Sequence, residues 1–285
     1  MRLACCELVR ARHILASNPR FVSNMRNPAG KVLTAIVALF LFPLAVHAAL
    51  YSAQDRAQSV RSADWSSVGM LPPASADEEA RLIVFSGRTG RWRGIFSVHS
   101  WIVLKHEKAS TWSRYDVVGW GQPVRSNGWD PDSRWFGNIP RVLVDVRGAQ
   151  AAALIPKIKA AIEGYAYSHA GDYRVWPGPN SNTFVATVLR AVPELAATLP
   201  ANALGKDFRP YPYIGLSDSR TGVEASLWGM LGVKIGWVEG VEFNFLGLVA
   251  GLDIRHPGVK LPGFGRLGID DGTALAAPLS ALSAS

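Results

Sequence analysis

"GVKIGWVEGVEFNFLGLVAGLDIR", residues 232–255, decides the fold class. Its apolar content allows two readings, a membrane-spanning helix or a run of strands. Apolar and polar side chains alternate along it. Val233, Ile235 and Trp237 fall on one face of a strand; Val241, Phe243 and Phe245 fall on one face of the next. Glu239-Gly240 supplies a turn between them. A helix crossing lipid would bury Lys234, Glu239 and Glu242 in hydrocarbon. The alternation therefore predicts strands that belong to the main body rather than a second span.

Working back from there, the body reads as further strands with two helices among them. "RLIVFSG" (81–87), "GIFSVHSWIVLK" (94–105), "RYDVVGWG" (114–121) and "RVLVDVRG" (141–148) are rich in β-branched and aromatic residues. The segment 94–121 reads as a β-hairpin broken by "HEKASTWS". "AQAAALIPKIKAAIEGY" (149–165) sets Leu154, Ile155, Ile158 and Ile162 on one helical face, and Pro156 marks either a kink or a first turn. "DYRVWPG" (172–178) reads as a short strand. The order predicts an α+β domain, an antiparallel sheet with a few packed helices, after one N-terminal membrane segment.

That segment is "VLTAIVALFLFPLAVHAAL", residues 32–50, which contains no Asp, Glu, Lys or Arg. Nineteen residues at about 1.5 Å each nearly cross a hydrocarbon core of about 30 Å. A basic flank precedes it, which predicts a cytoplasmic N-terminus and an exported body. Val46-His47-Ala48 also fits a signal-peptidase site, and Met25 offers a second start with a compact leader. The organisation expected is a basic leader (1–31), an anchor or signal segment (32–50), an Ala/Ser/Asp-rich linker (51–80), an exported α+β domain (81–275) and a loose tail (276–285).

Charge and cysteine content narrow the function. The net charge of +8 comes largely from the leader: six of 30 basic and one of 22 acidic residues precede residue 49, leaving +3 on the rest. A body at +3 has no electrostatic footprint for nucleic acid. The two cysteines, Cys5 and Cys6, lie in the leader, so the body has no thiolate nucleophile, no disulfide and no Cys-ligated metal. There is no P-loop, no dinucleotide fingerprint and no H-E-x-x-H pair, and the histidines are widely spaced. No metal and no cofactor is expected.

The chemistry-bearing stretch is "GPNSNTFVATVLRAV", 178–192, where two breakers and three small polar residues precede an apolar helical run. A helix N-terminus offers unpaired N–H groups to a developing oxyanion. Ser181 there is either an N-cap or a nucleophile. A serine nucleophile needs a base, and His99 in "SVHSWIVLK" is the candidate, in phase with Trp101 and Val103. Asp116 on the next strand is the candidate orienter, if the register puts it on the same face. Backbone N–H groups near Asn182 are the oxyanion donors. Trp101, Trp176, Asn180 and Asn182 are the expected substrate-binding residues.

"RSADWSSVGMLPP", "RTGRWRGIFSVHSWIVLK", "YDVVGWGQPVRSNG", "GDYRVWPGPNSNTFVATVLRAVPEL" and "GWVEGVEFNFLGLVAGLDIRHPGVKLPGFGRLGI" together resemble an uncharacterised bacterial family catalogued as domain of unknown function 3750. The resemblance covers about residues 60–270 and implies a membrane-tethered bacterial protein, which with the topology above means the bacterial inner (cytoplasmic) membrane with the body facing periplasm or exterior, without an activity. A second resemblance is mechanistic. Permuted papain-like proteins, of the NlpC/P60 and lecithin-retinol-acyltransferase-like kinds, place a catalytic His on an early strand and a nucleophilic Cys later, at a helix start, in N-C-x-x-F-V. Here "H-S-W-I-V-L" stands at 99–104 and "N-S-N-T-F-V" at 180–185, so Ser181 occupies the cysteine's place. The resemblance implies a papain-like hydrolase or acyltransferase acting on an envelope amide or ester, in peptidoglycan peptide or lipid. The alternative is a non-catalytic envelope binding or scaffold module using the same groove.

Overall fold

The computed structural model describes residues 28–54 and 59–269. The leader through residue 27, with Cys5, Cys6 and Met25, and the tail 276–285 lie outside the described residues. Pro28–Ser52 form one helix, α1, 25 residues and so about 37 Å long, apolar and long enough to cross a membrane. The expected segment 32–50 lies within it. Its turn Val37–Leu41 is wound as a π-helix.

The first sheet is antiparallel, in the order β4-β3-β2-β1-β5. Its strands are β1 (Arg81–Arg88), β2 (Val98–Lys105), β3 (Ser113–Val117), β4 (Val124–Ser126) and β5 (Arg141–Arg147). β1 and β2 read as continuous apolar runs because both faces of the sheet are covered. On one face Leu82, Val84, Ile102, Leu104 and Val144 pack with two helices, α2 (Gly148–Glu163) and α3 (Ser181–Ala191). Helix α2 contributes Leu154, Ile155, Ile158 and Ile162, the face expected from spacing, and Pro156 lies inside it. On the opposite face Ile83, Phe85, Trp101, Val103 and Trp135 form a second cluster, backed by Trp65, Trp112, Trp129 and Phe136.

Trp65 comes from the segment read as a linker. Its ring packs edge-on against Trp135 with centroids 5.0 Å apart. Downstream, Asp132 accepts hydrogen bonds from the Ser67 hydroxyl and from the N–H groups of Met70 and Leu71. The second half of 51–80 is thus a strap on the tryptophan face, and the composition that suggests a linker misses it because the anchoring partners lie some sixty residues away.

Residues 172–178 form turns rather than the expected strand. The Arg174 N–H donates to Pro179 O at 2.8 Å, closing the chain on itself, and Pro177 and Pro179 supply no N–H for a ladder.

The second sheet is a seven-stranded antiparallel meander, and residues 232–255 form its middle. It comprises β6 (Tyr213–Leu216), β7 (Gly222–Leu227), β8 (Leu231–Gly236), β9 (Gly240–Phe245), β10 (Leu248–Asp253), β11 (Gly258–Leu261) and β12 (Gly265–Gly268). The fold is α+β, as the sequence predicts.

The polarity of this second sheet is inverted. Glu224 on β7, Lys234 on β8 and Glu242 on β9 stand in one cross-strand row and are buried. Facing them on the sheet's inner side, Lys234 Nζ lies 2.5 Å from Asp218 and 2.7 Å from Asp207. Lys206 lies 2.6 Å from Glu242 on one side, Lys260 lies 2.7 Å from it on the other, and Arg209 clasps Glu224. Each charge of this row thus has an opposite partner at contact, the condition under which such groups are tolerated away from water. The apolar alternates point outward: Ile235 is 52% and Phe243 51% exposed.

Candidate functional site

The loop before α3 and the start of β2 meet at a cavity of about 590 Å³. His99, Asn180, Ser181, Asn182 and Trp176 line it, among largely aromatic and aliphatic neighbours that include Trp92, Phe96, Trp135 and Tyr173. That volume suits a small-molecule ligand.

The N-cap of α3 is Asn180, not Ser181. Asn180 Oδ1 accepts the N–H of Asn182 at 2.9 Å and of Thr183 at 3.1 Å, and Thr183 Oγ1 accepts the Asn180 N–H, which completes a capping box. The Asn180 amide nitrogen donates to Val175 O and Leu204 O. Gly205, at φ +93°, presses on this amide, where any Cβ would collide with it. Ser181 follows as the first helical residue. Its hydroxyl takes no part in the cap, and among the described residues it makes no hydrogen bond. The cap also corrects the expected oxyanion donors. The Asn182 N–H is spent on Asn180, which leaves the Ser181 N–H, without an acceptor among the described residues, as the open donor at this helix end.

His99 sits on β2 with Trp101 and Val103 on the tryptophan face. β3 pairs with β2 through Ile102↔Tyr115 and Val103↔Arg114. Continuing that register sets Asp116 on the same face as His99, one diagonal away. The two are joined: His99 Nε2 and Asp116 Oδ1 are 2.8 Å apart, both side chains buried. Arg114 donates to both oxygens of Asp116, at 2.7 Å from Nε and 3.0 Å from a terminal nitrogen. Burial pushes the Asp116 carboxyl up, but the His99 hydrogen bond and the Arg114 guanidinium outweigh it and hold it below the ordinary carboxylate range. An ionised Asp116 fixes the proton of His99 on Nε2. Burial pushes the His99 pKa down, and the attraction of Asp116 only partly offsets this. The imidazole is therefore neutral near pH 7, with the Nδ1 lone pair unengaged among the described residues.

Trp135 and Arg114 are parts of this arrangement that sequence reading missed. Trp135 stacks flat on the His99 ring, with centroids 3.7 Å and planes 5° apart. The Arg114 guanidinium lies 4.2 Å from the centre of the Trp101 ring. Arg114 was legible in principle, since it stands two residues before Asp116 and so on the same face of β3. Trp135 has no local signal, being 36 positions from His99 in a loop.

Of the expected substrate-binding residues, Trp176, Asn180 and Asn182 line the cavity and Trp101 does not. Trp101 is 0% exposed beneath Arg114, where its indole N–H donates to Pro131 O. Mid-strand placement between two covered faces leaves it no route to the cavity. The Asn182 amide nitrogen is bound to Val98 O and Leu204 O, tying α3 to the start of β2.

Ser181 and His99 approach the cavity from different sides. α3 packs on the helix face of β2, while His99 points to the tryptophan face. They share the cavity because β3 does not pair with β2 as far as residue 99. No hydrogen bond joins the Ser181 hydroxyl to the His99 ring among the described residues. No group of three or more metal-ligating side chains occurs among them either.

Residues 79–208 match the model of a family described as protein of unknown function (DUF3750). That span holds His99, Asp116, Asn180, Ser181 and Asn182, while Val60, Leu246 and Leu248 of the cavity wall lie outside it. No curated protein and no solved structure matches the chain. The permuted papain-like likeness thus has no comparison behind it, and the first sheet with its two helices stands as an α+β arrangement only.

Proposed function

We propose that the DUF3750 region of this chain is a serine-type acyl hydrolase or acyltransferase, tethered by α1 to the bacterial inner membrane with its body outside the cytoplasm. One observation carries the catalytic reading. Ser181, whose hydroxyl takes no part in the Asn180 cap, lines the same apolar cavity as His99, whose Nε2 is 2.8 Å from Asp116. In this reading Ser181 Oγ attacks the carbonyl carbon of an ester or amide and its proton passes to His99 Nδ1. The Ser181 N–H donates to the oxyanion. Collapse expels the alcohol or amine, which takes the proton from His99, and water or an acceptor hydroxyl then releases the acyl group from Ser181. Hydrogen bonds between nucleophile and base are commonly long until substrate fills a site, which accommodates the missing Ser181–His99 bond. The apolar walls favour a substrate with an acyl chain, a lipid ester or amide of the envelope.

The packing of α1 on the body favours a retained anchor over a cleaved signal. His47, the middle residue of the signal-peptidase-like Val46-His47-Ala48, has its ring 4.8 Å from that of Phe264, and the Tyr51 hydroxyl donates to Arg91 O at 2.9 Å.

A fluorophosphonate probe tests the chemistry on the full chain in phosphatidylethanolamine–phosphatidylglycerol vesicles. Covalent labelling mapped to Ser181, and lost in Ser181→Ala and His99→Ala, is the expected result. Labelling no greater than in Ser181→Ala, together with no turnover of a series of fluorogenic acyl esters, defeats it. The second reading, a lipid-binding module without turnover, draws on the missing Ser181–His99 hydrogen bond. It predicts saturable binding of a fluorescent fatty acid to a protein that the probe does not label.

A further inference from the structure

The second sheet turns an unbroken apolar row outward. Leu216, Val223, Ile235, Val241, Leu252, Val259 and Leu267 pair edge to edge across all seven strands. A second row runs Ile214, Ala225, Val233, Phe243 and Ala250. The inner side carries the charges. Apolar outside and ionic inside is the pattern of sheets whose solvent is lipid. The strands are four to six residues long, short of the nine to eleven or so that a crossing needs, so a partial immersion is the only form open to them.

The described element lying against this outer face is α1. Its π-helical turn Val37–Leu41 packs on β10, and the ring of Phe40 is 5.7 Å from that of Phe245. Ala250 is buried there, while Phe243 beside it in the row is open. The depth of this contact follows from the helix. Lys31 is the last charged residue before the apolar run. At about 1.5 Å per residue Phe40 stands about 14 Å farther along, near the middle of a hydrocarbon core of about 30 Å. Phe245 touches it at that depth. An anchor that spans the bilayer therefore draws the adjoining face in with it.

We infer that the outer face of the seven-stranded sheet is immersed in the lipid bilayer beside α1, so that the body is a monotopic domain embedded in the leaflet rather than a globule on a tether. The inference rests on the anchor reading of α1. The hairpin β9–β10 that carries Phe245 also gives the cavity Leu246 and Leu248, so the cavity wall is continuous with the immersed face.

Spin labels test it on the full chain, with Cys5→Ser and Cys6→Ser as background, in phosphatidylethanolamine–phosphatidylglycerol vesicles. Single cysteines go at Ile235 and Phe243 on the sheet, Leu39 on α1, and Glu163 as an exposed position at the end of α2. The expected result is a several-fold higher ratio of oxygen to nickel-chelate accessibility at 235, 243 and 39 than at 163. Lipid exposure at 39 with aqueous exposure at 235 and 243 overturns the immersion and leaves the anchor standing. Aqueous exposure at all four positions overturns both. Exclusion of both reagents at 235 and 243, with spin–spin broadening between copies, assigns the face to a second copy of the chain and overturns the lipid reading.

Discussion

The Trp135 indole covers one face of the His99 imidazole, the two planes 5° apart and their centres 3.7 Å apart. Asp116 holds the ring by its edge at Nε2, so orientation is fixed about two axes at once. A neutral imidazole stacked this way lies ready to become an imidazolium against a negative π face, which stabilises the charged form that general-base chemistry requires. Trp135→Phe keeps part of that face and is expected to retain labelling by the fluorophosphonate probe at a reduced rate. Trp135→Ala removes it along with contacts to Trp65, Trp101 and Trp129, and is expected to cost about 3–5 kcal/mol of stability. Labelling rates at a temperature where both variants remain folded separate the two effects. Equal rates for Phe and wild type leave the stacking a packing contact only.

The pH dependence of labelling follows from the direction of the His99 shift. The base is active when neutral, and burial lowers its pKa below about 6.5, the ordinary histidine value. Activity is expected to hold level as pH falls through 6.5 and to decline only at lower pH. The same sign applies to stability. A histidine with a folded pKa below its unfolded one contributes stability above the unfolded value and loses it as pH falls, because the unfolded chain takes up the proton first. An activity limb centred at or above 6.5 contradicts the buried, neutral assignment.

Asn180 and Ser181 are adjacent and of similar cap propensity, and they are expected to respond oppositely. Asn180→Ala removes the acceptor of two backbone N–H groups and two further hydrogen bonds, so a loss of at least the usual cap value of about 1–2 kcal/mol is expected in urea unfolding. Ser181→Ala removes no hydrogen bond and places a stronger helix former at the first position, so its stability stays within about 0.5 kcal/mol of wild type while labelling disappears. A large destabilisation by Ser181→Ala returns the residue to a structural role.

The element types were largely legible in the sequence, because periodicity reports which residues share a face. The polarity of the faces was not. Val233, Ile235 and Trp237 alternate with Lys234 whether the apolar side faces a core or a membrane, and a period of two carries no record of which side is inside. The cap was ambiguous for a similar reason. Asn180, Ser181 and Asn182 are all good caps, and the choice falls to Asn180 through Gly205 and Leu204, more than twenty residues downstream. His99 and Asp116 were legible as a pair once a hairpin was assumed, since both carry the strand phase of their neighbours. Trp135 and the strap at Trp65 depend on contacts across the tryptophan face that no local pattern encodes. Trp101 was misplaced because alternation put it on the face of His99, without showing that this face closes over everything beyond residue 99.

Acid should unfold the second sheet through its inner carboxylates. Burial pushes Glu242 up, but Lys206 and Lys260 outweigh it and hold it below the ordinary carboxylate range; Asp218 is held low by Lys234 and Arg190 against the same penalty. Depressed carboxyls contribute stability above their unfolded values, about 4, and lose it as pH falls through the folded ones. Lys234 and Lys206 are raised: burial lowers them, and the surrounding carboxylates more than compensate. Their share is complete below about 10.4, the ordinary lysine value, and is lost as pH rises through the raised ones. The network's contribution to stability in detergent is expected to be flat between these windows, beneath the separate His99 loss, and to fall below pH 4 with uptake of more than one proton. A single-proton acid transition contradicts the network.

Lys234 and Ile235 give the sharpest test of the inverted polarity, because they are neighbours on β8 with opposite environments. Lys234 contacts Asp207 and Asp218 and is 4% exposed, while Ile235 is 52% exposed in the middle of the outer row. In a sheet with a conventional core, replacing the lysine by an apolar residue is harmless and replacing the isoleucine by a charged one is severe. Here the order reverses. Lys234→Met leaves two buried carboxylates short of their cation and is expected to cost about 3–5 kcal/mol. Ile235→Lys puts its ammonium outside the ionic network and is expected to change stability in detergent by no more than about 0.5 kcal/mol. Its effect belongs to the membrane: a charge on an immersed face should raise the fraction of protein released by alkaline carbonate from vesicles, or shift Ile235→Lys toward shallower labelling depth at 243. Thermal unfolding of both variants in the same detergent decides the polarity, and greater damage from Ile235→Lys than from Lys234→Met refutes it.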